Sequence, residues 1–344
     1  MNLKSLDAIK INFIIGTGRS GTALLSVMLN EYPNCISTPE IHHFVYFYKK
    51  YKNITKVTPK LKDDIYHYLF LFFNYEKNPL FGPLDKTLIE TLIINEPITY
   101  GQLIKLIYLG LYGRKGIDND INIIIDKNPY YTLQIDKIIS VFPDAKFVAL
   151  IRDYRAYSLS FKVSKNLLES TKSVFYYALV WNLHIKYILK AQNKYGAKIK
   201  IVKYEDLVLN NNSILDIISF FDLPYTESIF KFHETMKGKT NELNTQEKNH
   251  PRMFKRINDL TIPINTNRIS AWEKDLATNT IKKNEFVSMN LGKKFGYIPT
   301  QNIGFLDKVF FTISLIPDYF KVKMYEILKS PNFGIYYKYK LNKS

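Results

Sequence analysis

The stretch Ile11-Asn12-Phe13-Ile14-Ile15-Gly16-Thr17-Gly18-Arg19-Ser20-Gly21-Thr22-Ala23-Leu24-Leu25 decides the fold. Its apolar run, Ile11–Ile15, has strand length, and glycines at 16, 18 and 21 break it at once into a tight loop. Past the loop, Leu24, Leu25, Met28 and Leu29 recur at helical spacing. The order is strand, glycine loop, helix. Glycines at such a junction let the backbone approach an anion, and the helix N-terminus adds free N–H donors and a positive dipole end.

The loop nearly fits the pattern G-x-x-x-x-G-K-[ST], with Gly16 and Gly21 as its two glycines. Thr22 stands where the phosphate lysine belongs, and Ala23 where the Mg²⁺-binding hydroxyl belongs. Arg19, inside the loop, is its one basic side chain. These departures argue against a nucleotide or small-molecule kinase. They leave a cradle for an anion that is not a magnesium-bound triphosphate.

Three further apolar runs, Ile121–Ile125, Phe147–Ile151 and Ile199–Val202, each precede a polar turn and then a helical pattern such as Ile214–Phe221. Alternating strands and helices predict an α/β fold, a P-loop-like parallel β-sheet flanked by helices. Residues 44–120 are aromatic-rich with helical periodicity and read as a helical insertion. Residues 236–268, polar and containing Pro251 and Pro263, read as a loop or lid. Residues 301–344 form an amphipathic tail with Phe305, Leu306, Val309, Phe310, Ile313 and Ile316 in one stripe. That stripe is too short to span a bilayer. It either closes over the domain's own core or contacts a membrane through residues 305–323, flanked by Lys308, Lys321 and Lys323.

Among 344 residues, 46% are hydrophobic and 15% aromatic, enough for a sizeable core, which excludes wholesale disorder. Forty-eight Lys and Arg against 31 Asp and Glu give +17, a balance that favours an anionic partner. Compositional drift towards Lys, Asn, Ile and Tyr produces the same excess without function. A non-catalytic binder of polyanions or nucleic acid would also fit the charge. No nucleic-acid module is visible, and such a binder leaves the loop residues unexplained, so no nucleic acid is expected as a partner. The single cysteine, Cys35, permits no internal disulfide and no thiolate zinc site. With no signal-like h-region and no long apolar run, the chain reads as cytoplasmic.

Five segments together resemble the sulfotransferases that use 3′-phosphoadenosine 5′-phosphosulfate. Arg19-Ser20-Gly21-Thr22 looks like that family's 5′-phosphosulfate loop, and Asp126-Lys127-Asn128-Pro129-Tyr130 like its lysine–proline turn. Phe147–Ser160, a strand followed by R-D-x-R-A with Ser160 eight residues after Arg152, is similar to the 3′-phosphate motif. Val202–Leu207 and the R-I-S-A-W…F-G-Y run from Arg268 to Tyr297 complete the likeness. Order and spacing are most similar to the tyrosylprotein branch, and a sulfotransferase domain over residues 1–300 is implied.

That resemblance implies the donor nucleotide and a hydroxylated acceptor (glycan, glycolipid, small metabolite or tyrosyl) as partners, and no metal. It implies Glu40 as general base, with Arg19 and Lys127 stabilising charge on the bridging oxygen and the sulfuryl group. Arg19, Ser20, Gly21, Thr22 and Ala23 would line the 5′ side, Arg152 and Ser160 the 3′-phosphate, Tyr204 the nucleotide, and Ser270 the neighbourhood of the transferred group. His42 or His43 could replace Glu40 as base. The cytosolic small-molecule branch carries a histidine after its turn, where Tyr130 stands here, and in the 3′-phosphate motif Tyr154 stands where the family usually has proline or glycine. Asp126 reads as an orienter of Lys127 or a turn cap, and Glu205 and Asp206 as helix caps.

Overall fold

Strand β1 (Lys10–Gly16) sends Ile11, Phe13 and Ile15 into one buried cluster and Ile14 into another, as the two-residue period of a strand buried on both faces requires. In this computed structural model, residues 3–38, 40–76, 97–111, 121–163, 172–242 and 257–328 are described. Four more strands, β2 (Cys35–Thr38), β3 (Ile123–Lys127), β4 (Phe147–Ile151) and β5 (Ile199–Lys203), pair with it in the order β2-β3-β1-β4-β5. Every pairing is parallel.

In chain order the helices are α1 (Leu3–Ala8), α2 (Thr22–Leu29), α3 (His43–Tyr51), α4 (Pro59–Glu76) and α5 (Tyr100–Leu111). Then come α6 (Ile135–Val141), α7 (Tyr154–Val163), α8 (Val174–Tyr195), α9 (Tyr204–Leu209) and α10 (Asn211–Phe220). The last are α11 (Phe232–Glu242), α12 (Ala271–Asp275), α13 (Thr278–Gly292) and α14 (Phe305–Leu328). One sheet face meets Phe44 and Phe47 of α3, Tyr100 of α5 and Trp181 and Ile185 of α8. The other meets Leu25 and Met28 of α2 and Ile214 and Ile217 of α10. Local signals set the ends: the Ser173 hydroxyl accepts from Tyr176 N–H at the start of α8, and Gly196 at φ 52° stops it.

The α/β expectation holds, including strand β4 to the residue. Two differences have physical reasons. Strand β2 was not expected, because Cys35-Ile36-Ser37-Thr38 carries two hydroxyls in a four-residue strand and shows no apolar run. Ser37 shares a hydrogen bond of 2.8 Å with Ser26, and the Thr38 hydroxyl donates to Asp126 at 3.4 Å, so both hydroxyls are satisfied inside the layer. The stretch expected as a loop from 236 begins instead as helix, since α11 runs on to Glu242; residues 243–256 lie outside the described residues. Described parts of 44–120 are helical apart from an isolated bridge between Lys56 and Pro97.

At the end of β1 the backbone leaves no room for a side chain. Gly16 sits at φ 142°, and a Cβ there would lie 2.0 Å from the Leu150 carbonyl oxygen of the neighbouring strand. Gly16→Ala should therefore destabilise the fold by at least about 2 kcal/mol in urea unfolding, from backbone strain plus overpacking. A loss below about 0.5 kcal/mol would contradict this close β1–β4 approach.

Candidate active site

A parallel sheet delivers all its strand ends to one edge, and here every strand contributes. Parallel pairing of Thr38 with Asp126 puts the segments beyond β2 and β3 side by side, so Glu40 meets Lys127. Gly16 lies opposite Leu150, which brings the loop after β1 beside Arg152 after β4, and β5 ends at Tyr204. Chain connections leave β1 and β4 towards opposite sides of the sheet, the switch point where open α/β sheets bind ligands.

The first cradle is the loop between β1 and α2. Gly21 caps α2 at φ 84°, and Arg19 holds φ 64°, an uncommon value for a residue with a side chain. Left-handed residues in such a turn aim successive N–H groups at one point. Ser20 Oγ–H donates to Thr17 C=O at 2.8 Å and lies 2.5 Å from Thr17 Oγ1, so the Ser20 hydroxyl is turned inwards. The first intrahelical bond of α2 runs from Leu25 N–H to Gly21 C=O. The N–H groups of Thr22, Ala23 and Leu24 lie ahead of it at the positive end of the helix, and Ala23 is exposed. Behind the loop, Thr132 Oγ1 donates to Gly16 C=O and accepts Gly16 N–H, at 3.0 and 2.9 Å. His184 Nδ1–H donates to the same carbonyl at 2.8 Å.

The second cradle centres on Arg152, which is buried. Its Nη1 donates to Arg19 C=O at 3.2 Å and its Nη2 to Arg268 C=O, while its Nε has no hydrogen-bond partner. Burial pushes this guanidinium below arginine's ordinary range, with Tyr204 and Glu205 opposing the shift. The Tyr204 ring lies under the guanidinium at 4.3 Å and also faces Gly21, where a Cβ would come within 2.7 Å of it. Tyr204 is thus the wall between the two cradles. Arg19 Nε donates to Ser160 Oγ at 3.4 Å, which brings the loop arginine to the second cradle instead of to Lys127. Ser270, two residues past Arg268, is exposed at the start of α12. An orphaned buried donor beside a loop of outward N–H groups suits a ligand with phosphates at two ends.

At the other end of the edge, Lys127 Nζ donates to Glu40 Oε1 at 3.0 Å. Lys127 is 8% exposed by side chain and Glu40 38%, so the carboxylate keeps an open side. A small cavity of about 60 Å³ lies between Ala23, Ser26, Lys127, Met236, Lys239 and Leu260. That is room for a water or two. Asp126 faces away from this space: Tyr108 and Thr38 donate to it, and burial raises its carboxyl to about 7. It anchors the strand end, and no turn-capping bond is made by it among the described residues.

Both histidines following Ile41 are poor proton acceptors. Burial lowers His42 to about 4, and its Nδ1 lies 3.2 Å from Asn128 Nδ2. His43 is lowered to about 3, packs edge-on to Tyr108 at 4.3 Å and has no partner at either nitrogen. Glu40 remains the carboxylate that faces the site.

Several residues that hold the site in place lie within the quoted motifs, but their partners are set only by the fold. Arg155 is buried between Asp153 at 2.7 Å and Glu285 at 3.0 Å and covers the Trp272 ring at 3.8 Å. Glu205 was expected as a helix cap; it instead accepts from Asp153 N–H at 3.1 Å and from Tyr297 O–H at 2.9 Å. Trp181 Nε1–H donates to Arg152 C=O at 2.9 Å. These bonds clamp the turn after β4 from three elements. Only a conspicuous aromatic in each motif, Trp272 and Tyr297, could have hinted at them.

Comparison with known proteins adds three findings. Residues 12–227 match a family model described as "Sulfotransferase family". A Caenorhabditis elegans protein described as "Putative protein-tyrosine sulfotransferase" is 29% identical over 171 residues, 48% of this chain. The match spans only 62% of that relative's own length. Protein-tyrosine sulfotransferase A of the same organism is 24% identical over 296 residues, covering 84% of this chain and 68% of that protein. Among solved structures, the sulfotransferase domain from the curacin biosynthetic pathway superposes with a TM-score of 0.54 at 17% identity, covering 85% of this chain and 99% of that one. This last likeness is one of fold.

The depressed histidines set a pH dependence of stability. His42, His43 and His184 are neutral in the fold, at about 4, 3 and 4, but charge in the unfolded chain below about 6.5. The unfolded state then binds more protons, so stability rises with pH from about 4 to 6.5. Asp126 acts oppositely: raised to about 7, it makes stability fall between about 4 and 7, but one group is outweighed by three. The melting temperature should rise from pH 4.5 to 6.5, with a visibly shallower rise in His43→Phe. His43→Phe should also keep turnover within a few-fold of wild type; a collapse of turnover with the fold intact would make His43 part of the chemistry.

Proposed function

This chain belongs to the sulfotransferase family, and on that premise we propose that it moves a sulfuryl group from 3′-phosphoadenosine 5′-phosphosulfate to an acceptor hydroxyl. The observation that carries this reading is the buried Lys127 paired with an open-sided Glu40, on the same sheet edge as two cradles linked through Arg19. The donor, when bound, supplies the activated sulfuryl group. Everything else falls to the protein's own residues, as positioning and electrostatics.

N–H groups of the loop from Ser20 to Ala23 would take the 5′ phosphate, since a helix N-terminus binds such anions without a lysine. Arg152, through its free Nε, and Ser160 would take the 3′-phosphate. Tyr204 keeps Arg152 in place from below by ring stacking, and Ser270 closes the rim. Glu40 accepts the acceptor hydroxyl's proton on its exposed carboxylate oxygen. Lys127 holds that carboxylate in position and presents its charge where negative charge develops. Arg19 would add its charge from the nucleotide side, where its Nε reaches Ser160. Because the charge is already fixed and partly desolvated, little reorganisation is needed as the bond to sulfur breaks.

The acceptor is a hydroxylated molecule of a glycan, glycolipid, small-metabolite or tyrosyl class, entering over Glu40. A reducing compartment such as the cytoplasm suits a chain whose single cysteine, Cys35, is buried and can form no disulfide within the chain.

Transfer of radiolabelled sulfate from the donor to phenols, saccharides, peptides and lipid extracts tests the proposal. Lys127→Ala should lower turnover at least about a hundredfold, the usual loss when a donor aimed at developing charge is removed. Glu40→Gln should do the same while leaving nucleotide binding intact. Turnover of Lys127→Ala within a few-fold of wild type would remove its role. Phosphoryl transfer from ATP with Mg²⁺, and none from the sulfuryl donor, would assign the site to a kinase instead.

A further inference from the structure

The last helix presents its apolar side to solvent. At 3.6 residues per turn, Leu306, Phe310, Ile313, Phe320, Met324 and Ile327 share one arc of α14. Leu306 is 81% and Ile327 72% exposed, so the arc is uncovered along its whole length. The opposite side is the one that packs: Phe311 lies against Phe175 and Phe286, and Val322 joins Leu133 and Leu183. A stripe expected either to seal the core or to meet a bilayer therefore points away from the core. So continuous an exposed apolar surface marks an interaction site.

Charge selects the partner. All three carboxylates of α14 are held by lysines: Asp307 by Lys282 at 2.8 Å, Asp318 by Lys321 at 3.0 Å and Glu326 by Lys323 at 2.8 Å. Asp318 is buried, and no carboxylate belongs to the apolar arc. Lys321 and Lys323 stand on the two flanks of the arc, their side chains 61% and 50% exposed. Two copies joined by this face would bring lysine rim to lysine rim on chains of +17. An anionic lipid surface accepts both the apolar arc and its basic rim. No described helix is long and apolar enough to cross a membrane, and one side of α14 is already committed to the protein body, so the helix would lie in the interface.

We propose that the outward face of α14 binds the surface of an anionic membrane. The contact has a route to the active site: Tyr325 of α14 lies 3.1 Å from His184 Nε2, and His184 Nδ1–H holds the Gly16 carbonyl at the start of the first cradle. Membrane binding by α14 is independent of the transfer chemistry, and either can fail without the other.

Flotation of the full chain with vesicles tests it. Binding to vesicles of phosphatidylcholine with phosphatidylserine should be at least about tenfold tighter than to phosphatidylcholine alone, the scale expected from two or more lysines near an anionic surface. Phe310→Glu with Phe320→Glu should lose at least about tenfold of that binding with an unchanged melting temperature and nucleotide affinity. Where that pair melts early, Leu306→Ser with Ile313→Ser replaces it. Lys321→Gln with Lys323→Gln should weaken binding to the anionic vesicles only. Equal binding to both vesicles, no flotation, or unaltered binding by a folded double variant overturns the proposal. A wild-type dimer in light scattering that the double variant splits would give the face to a second copy instead, and also overturns it.

Discussion

Parallel register is the constraint on which the rest of this molecule depends. Because Thr38 faces Asp126 and Gly16 faces Leu150, five strands end together, and each end brings one element of the site. Shift one strand by a residue and those ends no longer meet, so the pairing of Thr38 with Asp126 and of Gly16 with Leu150 sets the geometry of the site. Gly16 tightens it further, since only a residue without Cβ lets the first cradle run so close to β4. The site is a consequence of how the core packs, and its geometry is as rigid as the sheet.

Within that frame Arg152 has an unusual position. A buried guanidinium with one unpaired donor is costly unless an anion completes it. Two backbone carbonyls, an aromatic ring and the Trp181 bond to its own carbonyl hold it there. The neighbouring arginine of the same motif has a different job. Arg155 is fully paired between Asp153 and Glu285, and Glu285 in turn accepts the N–H groups of Thr300 and Gln301 at 2.7 and 2.9 Å. One arginine is left for a ligand while the other ties α7 to α13 and to the chain after it. This division explains why R-D-x-R-A needs both.

Much of the fold was legible in the sequence because β1, β3 and β4 are buried on both faces and read as largely apolar runs, while the partly exposed β5 still carries Ile199, Ile201 and Val202. Strand β2 was not, since its hydroxyls find partners only in three dimensions, and without β2 nothing in the spacing alone brings Glu40 to Lys127. The roles of Glu40 and Lys127 came from resemblance to a family, and the register of β2 on β3 is what brings the two side chains together. Arg19 shows the opposite case. Its place in the loop suggests the transferred group, yet its left-handed backbone directs the side chain to Ser160. The outward stripe of α14 was visible as periodicity, but periodicity does not say which side of a helix the body covers. Glu205 was misread because its two partners, Asp153 N–H and Tyr297 O–H, come from segments far apart in the chain.

The central claim is that two cradles joined at Arg19 grip opposite ends of one nucleotide. Calorimetry of wild-type protein and Arg152→Ala with adenosine 3′,5′-bisphosphate and adenosine 5′-monophosphate tests it as a cycle. The account predicts that wild type binds the bisphosphate at least about tenfold more tightly, as expected for a charge-assisted phosphate contact, and that Arg152→Ala binds both ligands alike. Equal affinity of wild type for the two nucleotides, or a preference that survives Arg152→Ala, would contradict it.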